Sequence, residues 1–346
     1  MRGVVHGIAA AALLLSACGG GASSAGSSAS SSSTNGSGGS SGGSGSGAAV
    51  TPAFAAPALE SLTTTDVERV IAQSAAQASS DGKPAVIAVV DRLGNVLALF
   101  RMTGAPAAAL FPSAPDGSNS DAQGLSVQGE AAAVAKAITG AYLSSSGNAF
   151  SSRTASMIVQ THFPPAPSTV GLESGPLYGV QFSQLPCSDL AARYASIGSD
   201  VLIGPKRSPL GLAADPGGFP LYKNGVLVGG VGVIGDGIYG FDANVLDIDT
   251  DTDERAALAG TIGFEAPAAI RADQITVDGT SLRYSDAAYA SLASVSGASY
   301  AATNPGKGTL VALTGYTGAP GIRAGTAYGS EAWLESGCPY YFRTRR

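Results

Sequence analysis

The run Val86-Ile87-Ala88-Val89-Val90, the short charged turn Asp91-Arg92-Leu93-Gly94-Asn95, and the run Val96-Leu97-Ala98-Leu99-Phe100-Arg101-Met102 read as a buried hairpin. The pattern recurs as Phe219-Pro220-Leu221-Tyr222, then Asn224-Gly225, then Val226-Leu227-Val228. Here Asn-Gly supplies the positive φ values that a two-residue turn needs. Two such hairpins with helical segments between and around them imply an α/β (α+β) domain on a mainly antiparallel central sheet.

The helical segments have their own signals. Thr65-Asp66-Val67-Glu68 is a capping box, and Val67, Val70, Ile71, Ala75 and Ala78 follow at helical spacing, which predicts a helix over 65–79. A second helix carries Val127, Ala131, Val134, Ile138 and Ala141 as its apolar stripe and leaves Lys136 and Thr139 on another face. A third over 151–161 runs into His162-Phe163-Pro164-Pro165, where the prolines stop it. An acidic stretch then leads into a helix over 253–263, followed by a small hairpin within 275–284 and a strand at 310–313.

The N-terminal apolar run from Ile8 to Leu15 follows Met1-Arg2 and is too short to span a bilayer. It has the flanks of a secretory signal over 1–17. Small residues ahead of Cys18, in Leu15-Ser16-Ala17-Cys18-Gly19, resemble the lipobox of bacterial lipoproteins, in which Cys18 carries the lipid anchor (palmitate-type acyl chains). The alternative is an ordinary cleaved signal beside an incidental Cys18. Residues 18–58 are dominated by Ser, Gly and Ala and form an unstructured tether with an r.m.s. reach of roughly 25 to 35 Å. The expected location is the bacterial cell envelope, periplasmic or facing the outer membrane, with the membrane met only through the lipid.

The 346-residue chain carries 19 basic and 25 acidic residues; without Arg2 the charge is −7, which disfavours nucleic acid as partner. Cys187 and Cys338 are then the thiols available for a disulfide, two unpaired thiols being the alternative. The folded part divides into a domain over 59–270, interrupted by an irregular insertion over 164–215, and a C-terminal extension over 271–346.

Arg101-Met102-Thr103-Gly104-Ala105 at the exit of the first hairpin, Ala135-Lys136-Ala137-Ile138-Thr139, Ser152-Arg153-Thr154, and Gly217-Gly218-Phe219-Pro220 with Gly225 to Val233 occur in this order. Together they resemble the GlcG/HbpS family of haem-binding proteins, in an enlarged, secreted form. The resemblance implies a three-layer α/β/α domain, a homo-oligomer, and haem or a related tetrapyrrole as cofactor, with haem degradation as the one enzymatic activity it would bring. No further copy of the domain follows, and Trp333 to Arg346 matches no recognised pattern.

Haem iron is held by His, Cys, Met or Tyr. Outside the signal the chain has one histidine, His162, with Tyr142, Tyr178, Tyr222 and Met102 as competing axial groups. Arg101, Lys136 and Arg153 lie on the segments that carry the resemblance and could pair with haem propionates or with a small carboxylate metabolite. Otherwise Arg101 ends a strand in solvent and Lys136 lies on an exposed helix face. Gly230-Val231-Gly232-Val233-Ile234-Gly235 satisfies G-x-G-x-x-G, but the alternating valines continue a strand where a nucleotide site needs a helix start. Asp247, Asp249, Asp251, Asp253 and Glu254 imitate a calcium loop; Thr252 and Leu258 stand where an EF-hand needs Gly and Glu, so helix capping and the helix dipole account for the cluster, with adventitious calcium as the alternative. No G-x-S-x-G, H-E-x-x-H, C-x-x-C or Walker A motif is present. The expected function is therefore haem binding in uptake, sensing or degradation; a carboxylate-metabolite module and a structural surface lipoprotein are the alternatives.

Overall fold

The computed structural model describes residues 58–113, 122–170 and 206–327, with positions 176, 177, 180 and 185. The chain divides into two units, Met1–Phe54 and Ala55–Arg346, and every described residue lies in the second. Cys18, Tyr178, Cys187, Cys338, the tether and most of the 164–215 insertion lie outside the described residues. No described helix is long and apolar enough to cross a membrane.

Helix α1 spans Thr64–Ser80. Its capping box is Thr63 with Asp66, two residues earlier than the sequence predicts. Leu62 and Val67, which occupy the positions of a hydrophobic staple around that cap, are both fully buried in one core cluster, and this fixes the earlier start. Strands β1 (Val86–Asp91) and β2 (Val96–Met102) form the first hairpin, with a bulge that sets Val89 opposite Ala98 and Val90 opposite Val96. The short strands β3 (Ala108–Leu110) and β4 (Ser126–Gln128) pair with each other and lead into α2 (Gly129–Tyr142). Helix α3 is Ser152–Ile158, three residues shorter at its end than expected, and is capped by Ser151.

The second hairpin is β5 (Gly218–Lys223) and β6 (Val226–Ile234), turned by Asn224 and Gly225 at φ 49° and 77°, as the Asn-Gly pair demands. Helix α4 (Thr252–Gly260) follows. The hairpin predicted within 275–284 is β7 (Thr276–Val277) with β8 (Thr280–Ser281). A single helical turn, α5 (Tyr300–Thr303), precedes β9 (Gly308–Leu310), which lies slightly before the predicted 310–313.

The main sheet has the order β5-β6-β1-β2-β9 and all its pairings are antiparallel. Alternation sorts β1 between two cores. Ile87 and Val89 pack with the apolar residues of α1 and α4; Val86, Ala88 and Val90 pack with α2. The fold is therefore α+β with helices on both faces of an antiparallel sheet. Residues beyond 270 complete it: β9 extends the sheet beside β2, and Gly325 and Thr326 donate backbone N–H groups to Leu62 O and Asp91 Oδ2.

Helix α2 rests on the sheet with almost no side-chain layer between them. A Cβ added at Gly232 would lie 2.2 Å from Ala133 O, and one at Gly230 would lie 2.2 Å from Ala137 O. The glycine pattern of 230–235 is thus a device for close packing within a strand, as its failure to start a helix implied. Gly232→Ala should destabilise the fold by roughly 1–3 kcal/mol through overpacking, read as a lower midpoint in urea or heat. Gly225→Ala, which meets no neighbour within 4 Å, should cost only the backbone strain of placing Ala at φ 77°, about 1–2 kcal/mol.

Candidate functional site

Close packing buries every side chain on the middle of α2, Lys136 included. Lys136 does not lie on the exposed helix face that amphipathic spacing predicts: its exposure is 0%. Its Nζ lies 3.0 Å from Asp253 Oδ2, in the first turn of α4, and 2.5 Å from Asp215 Oδ2, just before β5. The second oxygens are held too, since Asp253 Oδ1 accepts Gly235 N–H at 2.7 Å and Asp215 Oδ1 accepts Gly240 N–H at 3.1 Å. Burial opposes the charge on Lys136, but the surrounding carboxylates outweigh it and hold the ammonium protonated. Burial also lifts both acids against the pull of Lys136, Asp253 to about 7 and Asp215 well above the usual carboxylate range.

A second buried cation sits on α3. Arg153 donates through Nε to Glu254 Oε1 at 2.8 Å, and its Nη1 lies 2.9, 3.2 and 2.9 Å from Asp242, Asp249 and Asp286. Glu254 Oε2 in turn accepts the backbone N–H groups of Asp286 and Ala287. Burial raises Glu254 to about 7 despite Arg153. One carboxylate oxygen from each of Asp242, Asp249 and Asp286 lies within 4.8 Å of the others, a spacing that suits a cation. The guanidinium already supplies that cation.

The acidic run of 247–254 therefore does more than charge a helix end. Asp251 caps α4 by accepting Glu254 N–H at 2.7 Å, as expected. Asp253 and Glu254 turn inward to two different cations, and Asp249 joins Arg153. Asp215, Asp242 and Asp286 were invisible as partners in the sequence, because they come from loops far from Lys136 and Arg153 in the chain. Only the presence of a cation within each of two short helices signalled that acids must meet them.

Arg101 is partly covered, with a side-chain exposure of 24%. It does not end a strand in open solvent. Its guanidinium bonds Glu130 at 2.6 Å, and Nη1 donates to Ala105 O and Pro106 O. Tyr222 is buried and its hydroxyl meets Ser145 O at 2.7 Å and Asn148 O at 3.1 Å. Burial pushes that hydroxyl's pKa upward, away from the phenolate. The Tyr142 hydroxyl is likewise set between Lys206 O and Leu93 O, and Met102 Sδ accepts Ala85 N–H. His162 is exposed, just past the end of α3. The structure thus separates the candidates: Lys136 and Arg153 are enclosed and paired, Arg101 is at the sheet margin, Tyr222 is a core residue, and His162 is exposed.

These features define an α+β domain whose internal cations are matched by carboxylates from one helix N-terminus and from loops. Residues 62–110, which comprise α1, the first hairpin and β3, match the family described as haem degrading protein HbpS-like. No curated protein matches the chain. Among solved structures, the PduOC:heme complex is 15% identical and is matched over 59% of this chain and 95% of its own, at a TM-score of 0.32. Klebsiella pneumoniae protein ORFY is 17% identical, with 62% and 97% covered and a TM-score of 0.32. A double mutant of Streptomyces reticuli HbpS is 19% identical with the same coverages and TM-score.

Removing Arg153 would leave Glu254, Asp242 and Asp286 buried without their counter-ion. Arg153→Met should therefore cost about 3–5 kcal/mol, measured by denaturant unfolding. Arg101→Ala, at a partly solvated pair, should cost no more than about 1 kcal/mol.

Proposed function

We propose that this protein binds haem, or a closely related tetrapyrrole, as an HbpS-like protein held at the cell envelope by a lipid on Cys18. The observation that carries the haem reading is the family match over 62–110, which covers the first hairpin and its supporting helix. The donor set agrees with it at one point. An exposed imidazole, His162, can reach an iron without breaking any packing, whereas Tyr142, Tyr222 and Met102 would each have to abandon an internal hydrogen bond.

The propionate role suggested for Lys136 and Arg153 finds less support, because a ligand carboxylate would have to displace an internal one. The same argument counts against a carboxylate-metabolite module built on these two residues. Arg101 is the member of the set whose guanidinium stays partly open. Bound haem supplies the iron and its redox chemistry; degradation would be an activity added to binding.

Titrating the protein with micromolar haem should give a saturable Soret shift, and absence of saturation would overturn the haem reading. His162→Ala should weaken the titration about tenfold, equivalent to ~1.4 kcal/mol, and move the Soret maximum; an unchanged spectrum would remove His162 from the iron while leaving binding intact. The anchor has a separate test in cell fractionation. Cys18→Ser should move the protein from the membrane pellet to the soluble fraction, and a variant that stays in the pellet would leave Cys18 without a lipid role.

A further inference from the structure

We propose that Lys136, Asp215 and Asp253 form a proton-holding latch, in which one carboxyl proton held by this acid pair, on Asp215, closes the 206–215 segment and the 237–240 turn against α2 and β6, and whose loss releases them. The argument begins with charge. One ammonium, fully buried, faces two carboxyl groups that are themselves almost wholly buried. If both were ionised, one negative charge would be left uncompensated away from water, at a cost far above that of keeping one carboxyl neutral. The other charged groups that act on Lys136 are Asp251, the cap of α4, and Asp236, just after β6; both are acids and add to the excess.

Hydrogen bonding points the same way. Asp253 Oδ2 accepts from Lys136 with good geometry, as the ionised member should. Asp215 Oδ2 lies 2.5 Å from the same Nζ but off the direction of a well-aligned hydrogen bond, and the buried Tyr239 hydroxyl has no hydrogen-bond partner among the described residues. Asp215 and Tyr239 feel each other electrostatically. With Asp253 aligned on Lys136 as the ionised partner, the more deeply desolvated Asp215 is the carboxyl that holds the proton.

Asp215 is also well placed to transmit the change. It ends a segment pinned to the domain by Lys206 N–H to Leu93 O, Ala213 N–H to Thr139 Oγ1, and the Ser156 hydroxyl to Ala214 O. Its Oδ1 holds Gly240 N–H, so a single side chain ties the pre-β5 segment to the turn after β6. The sign follows from burial. Both acids bind protons more tightly folded than unfolded, so the latch contributes its full stability below about pH 4, where unfolded Asp is also protonated, and loses it as pH rises through about 7 and beyond.

The test is hydrogen exchange on the full chain between about pH 6 and about pH 9, corrected for base catalysis with peptides of α1 as reference. Protection of 206–215 and 237–242 should fall at least tenfold over this range in the native protein. Asp215→Asn, which is isosteric and leaves Lys136 balanced by Asp253 alone, should hold that protection flat. Equal pH profiles for the two proteins would overturn the latch, and so would an Asp215→Asn protein that is open at every pH, the result expected of an ordinary ion pair. If that variant does not fold, infrared difference spectra of the native protein decide: a neutral carboxylic C=O band lost on raising the pH supports the latch, and its absence refutes it.

Discussion

Everything else in this structure depends on how closely α2 approaches β5 and β6. Gly218, Gly230, Gly232 and Gly140 each face backbone atoms of the opposing element at distances a Cβ would not tolerate. An alanine-rich helix on a glycine-rich strand gives up side-chain burial at the contact and gains density from backbone-to-backbone packing. No solvent layer remains, so a polar side chain on α2 must find its partner inside. Thr139 does so by donating to Ala135 O and accepting Ala213 N–H, and Lys136 does so by reaching across to two acids.

The first turn of α4 answers that demand twice. Asp253 and Glu254 are neighbours in sequence, yet one meets Lys136 on α2 and the other meets Arg153 on α3. A helix N-terminus favours negative charge, which offsets part of the cost of holding two buried carboxylates there. Buried ion pairs of this kind rarely stabilise a fold relative to apolar packing, but breaking one is costly. Their effect is on arrangement: α2, α3 and α4 can be placed in one way that satisfies every charge, and loops 206–215, 240–251 and 284–287 are drawn in to complete it.

Much of the fold was legible because its signals are local. The two hairpins, the Asn224-Gly225 turn, α1 with its apolar stripe, and the strand character of 226–234 all follow from spacing within a few residues. Helix ends were less legible, as the Thr63 cap shows: the box read at Thr65 lies inside the helix, and tertiary burial of Leu62 goes with the earlier start. The ion-pair network was not legible at all. Asp215, Asp242 and Asp286 carry no motif, and amphipathic reasoning placed Lys136 outward because it assumes a helix with one wet face. A helix covered by a sheet on one side and by loops 206–215 and 237–240 on the other has none.

This outcome changes what the family pattern in the sequence means. The residues that carried the resemblance, Lys136, Arg153 and the Gly217-Gly218-Phe219-Pro220 step, are explained by folding: two are internal counter-charges, and at Gly218 an added Cβ would lie 2.4 Å from Lys136 O, so only glycine lets β5 come this close to α2. A pattern set by packing is shared by proteins that need the same scaffold whatever they bind. Ligand chemistry has to rest on side chains that the scaffold leaves uncommitted, and among the sequence candidates with described positions those are His162, in solvent beyond α3, and in part Arg101 at the sheet margin. His162 lies in the loop after α3 and Arg101 near the end of β2, and loop-side positions are where a rigid sheet can carry function without being remade for it.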